Sequence, residues 1–262
     1  MGLALTAIVA YLGAAGLLVA GLRRERDERW PWLSLAAVAV LLHASAHVLA
    51  WRASGGTDMH FFSALSLVGL GMATLTALFG AGGRMAALGV VVYPLAALVL
   101  GAFAGYGHRI AEPLGWRLQL HAWSALLSYA TLAVAALLAV MLWLQDRALR
   151  QHHFHAWTRA LPPLTELEAL LFRTVTVGFL LLSATLLTGI LFVADLFAQH
   201  LVHKTVLSVL SWLLFGALLL GRWRRGWRGQ VAVRWTLAAM LLLVLAFFGS
   251  KAVLELVLHR AG

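Results

Sequence analysis

The chain has 262 residues, 62% of them hydrophobic and only 11% charged, with a mean hydropathy of +0.89 and a formal net charge of +10. A soluble domain carries about a quarter charged residues, so the composition excludes an ordinary soluble globule. There is no cysteine, which excludes disulfides, thiolate metal sites and covalent thiol chemistry.

The apolar residues fall in blocks at about 2–22, 31–51, 61–80, 85–104, 119–143, 170–194, 205–221 and 235–258. Each approaches the ~20 residues that a helix needs to cross a hydrocarbon core of ~30 Å. The blocks are continuous and rich in Leu and Ala rather than alternating, which favours helices over barrel strands. The expected fold class is all-α: a polytopic integral membrane bundle of about eight transmembrane helices, forming one transmembrane domain over residues 1–262.

In chain order, the first block has no charged stretch before it and reads as a retained helix, not a signal peptide. Gly80-Ala81-Gly82-Gly83 reads as a tight turn between the third and fourth helices, and Pro94 is expected to kink the fourth. The longest connection runs from Gln145 to about Ala169. Within it Pro162-Pro163 stops a helix, and Thr165 with Glu168 three residues later reads as a capping box for the next. The seventh block is short, and Arg222 is expected to snorkel to the interface.

The basic residues set an expected orientation. Arg23, Arg24, Arg26, Arg29, Arg84, Arg147, Arg150, Arg159, Arg173, Arg222, Arg224, Arg225, Arg228 and Arg234 lie in the odd-numbered loops, 14 in all. Arg52, Arg109, Arg117, Lys204 and Arg260, five residues, lie in the even loops and the C-terminal segment. That split puts the odd loops in the cytoplasm and both termini outside. It also accounts for the net positive charge without a nucleic-acid partner, since no basic stretch is long enough to form a separate domain. The partner that the composition demands is the lipid bilayer.

Eight of the eleven histidines map to the outer half in this topology. His60, His108, His200 and His203 read as solvated or interfacial loop residues, and His152, His153 and His155 as a solvated face of the cytoplasmic linker. His43 and His47 sit four apart on one face of the second helix, either as hydrogen-bonded core groups near Ser45 or Trp51 or as part of a site. His121 is near the start of the fifth helix and His259 ends the last. Ionisable groups inside membrane helices are costly and mark sites or paired structural groups, and neutral imidazole is a common ligand for metals and haem iron. Without cysteine a zinc-thiolate site is impossible, whereas two histidines from different helices could ligate one iron axially, from opposite faces of a porphyrin. Trp123, two residues from His121 on an adjacent face, is placed to flank such a ring, although an aromatic belt explains most of the tryptophans. Lys251, Glu255 and His259 are spaced i, i+4, i+8. They form either a structural ion pair near the interface or a polar wall whose Lys251 faces a propionate or other anion. No Ser-His-Asp order, HExxH or P-loop is present, so catalysis is not expected.

Several stretches of the second half carry a family resemblance. They are His121-Ala122-Trp123 with Leu127-Ser128-Tyr129-Ala130; Phe172-Arg173 with Gly178-Phe179 and Thr188-Gly189; Lys204-Thr205-Val206-Leu207-Ser208 through Trp212, then Gly226-Trp227-Arg228-Gly229; and Phe248-Gly249-Ser250 to Leu258-His259. Over about residues 115–260 the chain resembles the cytochrome c assembly proteins of the CcsA type, membrane proteins that handle haem in cytochrome c biogenesis. Residues 1–114 match in hydropathy and in one histidine of the second helix. The resemblance implies a haem cofactor at the outer face with His121 and His259 as the flanking histidines, and it aligns a transmembrane histidine with His43. Two features depart from the family. Its tryptophan-rich motif W-G-x-x-W-x-W-D is absent, with Asp195 to Lys204 in its place, and its second transmembrane histidine is Leu220 here. The chain therefore resembles the shorter branch of HemX-like and YpjD-like proteins of the bacterial inner (plasma) membrane. The expected function is haem handling alongside other cytochrome c assembly proteins. The alternatives are a small-solute or ion transporter, and an accessory or regulatory membrane protein that keeps the fold without haem.

Overall fold

A computed structural model of the chain describes residues 1–24, 30–56, 59–80, 86–106, 115–151, 162–192 and 202–252. The elements are α1 (Gly2–Arg24), α2 (Trp30–Ser54), α3 (Phe61–Gly80), a 3₁₀ turn (Ala86–Leu88) leading into α4 (Gly89–Tyr106), α5 (Trp116–Arg150), α6 (Leu164–Phe192), α7 (Val202–Arg225) and α8 (Gln230–Val244). Eight helices are long and apolar enough to cross a bilayer, and no strand occurs among the described residues. The chain is a polytopic helical membrane protein.

Contacts group the chain into two compact units, α1–α4 and α5–α8. In the first, α1 packs on α2 and α4, and α3 packs on α4 and α2. Between helices in lipid, association rests on close backbone approach rather than on the hydrophobic effect, so the seams use small residues. The buried face of α1 is a stripe of Ala4, Ala7, Ala10, Ala14 and Ala15 with Tyr11 among them. The buried face of α2 runs Trp32, Ala36, Ala39, His43, His47, Ala50 at helical spacing. The two histidines thus stand in the packed seam, at positions where their neighbours one turn on are alanines. In the second unit α5 packs on α6 and α8, and α7 packs on α6 and α8.

Several local features differ from the sequence reading. At 35 residues, α5 is about 50 Å long and outruns a hydrocarbon core of about 30 Å. Helix α6 starts at Leu164, directly after the proline pair, and the Pro163 carbonyl accepts from Glu166 N and Leu167 N at 2.9 and 3.0 Å. Glu168 does not serve a capping box. It is buried, and its carboxylate accepts from Arg222 Nη1 at 2.9 Å and from the Gly229 amide at 3.2 Å, with Arg228 Nε at 3.5 Å. Arg222 accordingly turns to a carboxylate and lies 4.6 Å over the Phe172 ring rather than snorkelling alone.

That carboxylate organises the turn between α7 and α8. Gly226 and Gly229 have φ of 65° and 57°, conformations that side chains resist, and they let Gly226-Trp227-Arg228-Gly229 fold back over the end of α7. Trp227 packs against Gly221 and lies 5.0 Å from the Trp235 ring. Beyond Val244 the last helix does not run on as a plain α-helix: Leu245–Gly249 form a π-helical turn. Tyr129 of α5 donates its hydroxyl to the Leu243 carbonyl at 2.6 Å just before that turn, a partner for a backbone acceptor where the helical ladder widens.

Candidate functional site

Two histidine sites emerge, one in each unit. In the first, His43, His47, Ser66 and Tyr11 are all within 1% of full burial. The Ser66 hydroxyl of α3 lies 2.9 Å from His43 Nε2 and 3.0 Å from His47 Nε2. Tyr11 of α1 places its hydroxyl 3.2 Å from His43 Nδ1. Ser45, the neighbour suggested by sequence, instead donates to the Leu41 carbonyl of its own helix.

Proton counting limits this chain of bonds to two opposite directions. A serine hydroxyl has one proton, so it can donate to only one of two neutral imidazoles and must accept from the other. If His43 donated from Nδ1 to Tyr11, the buried Tyr11 proton would lose its only acceptor. The favoured arrangement has Tyr11 donating to His43 Nδ1, His43 Nε2–H donating to Ser66, and Ser66 donating to His47 Nε2. Both nitrogens of His43 are then engaged, and a metal could reach its lone pair only by displacing Tyr11.

Ring stacking extends this cluster. His43 and His47 stack at 5.4 Å, His47 and Phe103 at 4.2 Å, and Phe103 and His60 at 6.2 Å. His60 is therefore a buried member of the column, not the solvated loop residue its position suggests. An aromatic neighbour on α4, Phe103, covers it.

The second site is His121 on α5. Its Nδ1–H donates to the Thr185 carbonyl of α6 at 3.1 Å, with the Thr188 hydroxyl at 3.2 Å from the same nitrogen. A carbonyl only accepts, so the proton resides on Nδ1 and the lone pair on Nε2. Gly189 makes room for the ring, since a Cβ there would stand 3.2 Å from His121 Cε1. The pieces Thr188-Gly189 and His121 that carry the resemblance are thus in direct contact.

The other sequence candidates fall as follows. Trp123 is 40% exposed. Lys251 is half-buried, with Nζ 5.5 Å over the Phe247 ring. Trp212 is tied into the α6–α7 seam by its Nε1–H, which donates to Ser183 at 2.8 Å, and by stacking on Phe179. His259, Glu255, Asp195, His108, His200 and the group His152, His153 and His155 lie outside the described residues. No group of three or more His, Cys, Asp or Glu side chains suited to a metal ion occurs among the described residues.

The chain is similar to known proteins along nearly its whole length. A family model described as "Cytochrome C assembly protein" matches residues 32–258. The match takes in α2 to α4 as well as the second half. "Inner membrane protein YpjD" of Escherichia coli (strain K12) is 31% identical over 266 residues, covering 97% of this chain and 98% of that one. A 28.8 kDa protein of Azospirillum brasilense is 36% identical over 169 residues, 62% of each chain. "Cytochrome c biogenesis protein CcsA" of Prochlorococcus marinus (strain MIT 9303) is 29% identical over 99 residues, 37% of this chain and 31% of that one. No solved structure matches.

Proposed function

This chain belongs to the cytochrome c assembly protein family, and we propose that it works there as a multi-pass inner-membrane protein that binds haem and passes it on, without catalysing bond chemistry itself. The observation that carries this reading is the hydrogen bond from His121 to Thr185. A histidine ligand to a metal characteristically donates its other ring N–H to a carbonyl or carboxylate, which fixes the tautomer and raises the basicity of the ligating nitrogen. The residues present therefore fit one side of a haem iron: a neutral imidazole, oriented by a backbone acceptor, with a lone pair on Nε2. His259 is the sequence candidate for the opposite side, with Trp123 and Lys251 as candidates to flank the ring and meet a propionate.

When bound, haem supplies an iron whose axial positions imidazoles fill. The chain's own contribution is positional. Thr185 and Thr188 hold the His121 ring, and Gly189 leaves the space it occupies. Other cytochrome c assembly proteins are the expected partners. The orientation follows the arginine distribution, with the α7–α8 turn in the cytoplasm and both termini outside.

Titrating hemin into the purified full chain, followed in the Soret region, tests the reading. Saturable uptake at one site supports it. No uptake favours an accessory role that keeps the fold without haem.

A further inference from the structure

We propose that the cleft between the end of α5 and the start of α8 binds the headgroup phosphate of an anionic phospholipid. The cleft has a volume of about 320 Å³. Helix α5 lines it with Trp143, Asp146, Arg147 and Arg150, and α8 with Gln230 and Arg234. Four charged groups meet here, and their pairing is unequal.

Asp146 is spent within the cleft. Arg150 Nε donates to both of its oxygens, at 3.1 and 3.2 Å, and Gln230 Nε2 donates to one at 2.7 Å. Arg150 is thereby neutralised. Arg147 and Arg234 are both exposed, and neither has a carboxylate partner among the described residues. Arg147 lies 5.6 Å over the Trp143 ring, which leaves the guanidinium edge available for hydrogen bonding. The cleft thus presents two uncompensated guanidinium groups, the donor type that matches a phosphate bidentately.

The surroundings point to a lipid rather than a soluble anion. Trp143, Leu144, Leu149 and Val231, on the same two helix ends, are exposed apolar side chains. Tryptophan and arginine together at the end of a spanning helix mark the headgroup level. A ligand that meets both the arginines and this apolar rim has a phosphate and acyl chains. Basic pockets between spanning helices recognise anionic headgroups in this way.

The experiment uses the purified full chain in detergent, titrated separately with phosphatidylglycerol, phosphatidylcholine and inorganic phosphate. Thermal unfolding and native mass spectrometry are the readouts. Phosphatidylglycerol should raise the unfolding midpoint and remain bound in the gas phase, while phosphatidylcholine and phosphate do neither. Arg147→Gln/Arg234→Gln should weaken phosphatidylglycerol binding about tenfold or more, and Arg234→Gln alone by less. Arg52→Gln, a matched loss of charge at the end of α2, should leave it unchanged. Equal retention of the two lipids by wild type, or a double variant that binds like wild type, would overturn the site. Stabilisation by inorganic phosphate equal to that by phosphatidylglycerol would overturn the lipid assignment.

Discussion

Ser66 Oγ bridges His43 Nε2 at 2.9 Å and His47 Nε2 at 3.0 Å, and with a single proton it donates to one imidazole and accepts from the other. The two imidazoles, stacked one helical turn apart on α2, therefore hold opposite tautomers.

Nitrogen-15 spectra of histidine-labelled protein should resolve this pair, with His43 protonated on Nε2 and His47 on Nδ1. Ser66→Ala strands two buried ring nitrogens at once and should destabilise the chain by about 1–3 kcal/mol in thermal unfolding. Tyr11→Phe removes the donor to His43 Nδ1 and should cost about 1 kcal/mol. Because both changes act on one network, the double variant should depart from additivity. Identical tautomers for the two rings would refute the assignment.

The turn between α7 and α8 should depend on Glu168, which lies in another helix. Glu168→Ala removes the carboxylate that Arg222 and the Gly229 amide share, leaving Arg222 Nη1 only the Trp227 carbonyl at 3.3 Å among its described hydrogen-bond partners. Loss of one partner from a fully buried ion pair costs about 3–5 kcal/mol; the Arg222 side chain is 39% exposed, so about 2 kcal/mol is expected here. Gly229→Ala should cost about 1–3 kcal/mol on its own, because φ 57° with ψ −128° is a region that essentially only glycine enters. Both are read by thermal unfolding, and a Gly229→Ala protein as stable as wild type would remove the turn's strain from the account.

The helices were legible in the sequence because crossing a bilayer is written residue by residue in hydropathy. Seven of the eight blocks begin or end within a few residues of a described helix end. The partners of the histidines were not legible. Ser66 is 23 positions from His43, Tyr11 is 32, and Thr185 is 64 from His121; only the packing of helices brings them together. Glu168 was masked by a local pattern: Thr165-x-x-Glu168 is a sound capping motif, but an arginine 54 residues away offers the carboxylate a charge-assisted bond. The π-helical turn at Leu245–Gly249 has no hydropathy signature, since its apolar residues suit an α-helix equally well. His121 and the Gly226–Gly229 turn carry the family resemblance, whereas the contact of His121 with Gly189 and the role of the turn glycines arise only from helix packing and backbone conformation.

Topology gives a separate prediction. A cytoplasm-active reporter inserted at Arg228 should be active, and a periplasm-active reporter after Gly262 should be active, as the 14-to-5 arginine and lysine distribution requires. A periplasm-active reporter that works at Arg228 would invert the orientation.

The most direct test of haem handling is the reduced-minus-oxidised absorbance spectrum of protein purified from haem-replete cells, taken for wild type and three variants. Wild type should show a Soret band with the sharp α and β bands of a low-spin bis-histidine iron. His153→Ala should match it. His121→Ala should lose most of the signal, and Gly189→Val should weaken it by crowding the ring whose Cε1 lies 3.2 Å from where a Cβ would stand. A colourless wild-type protein that also refuses added hemin, or a His121→Ala protein with wild-type haem content, would contradict the account.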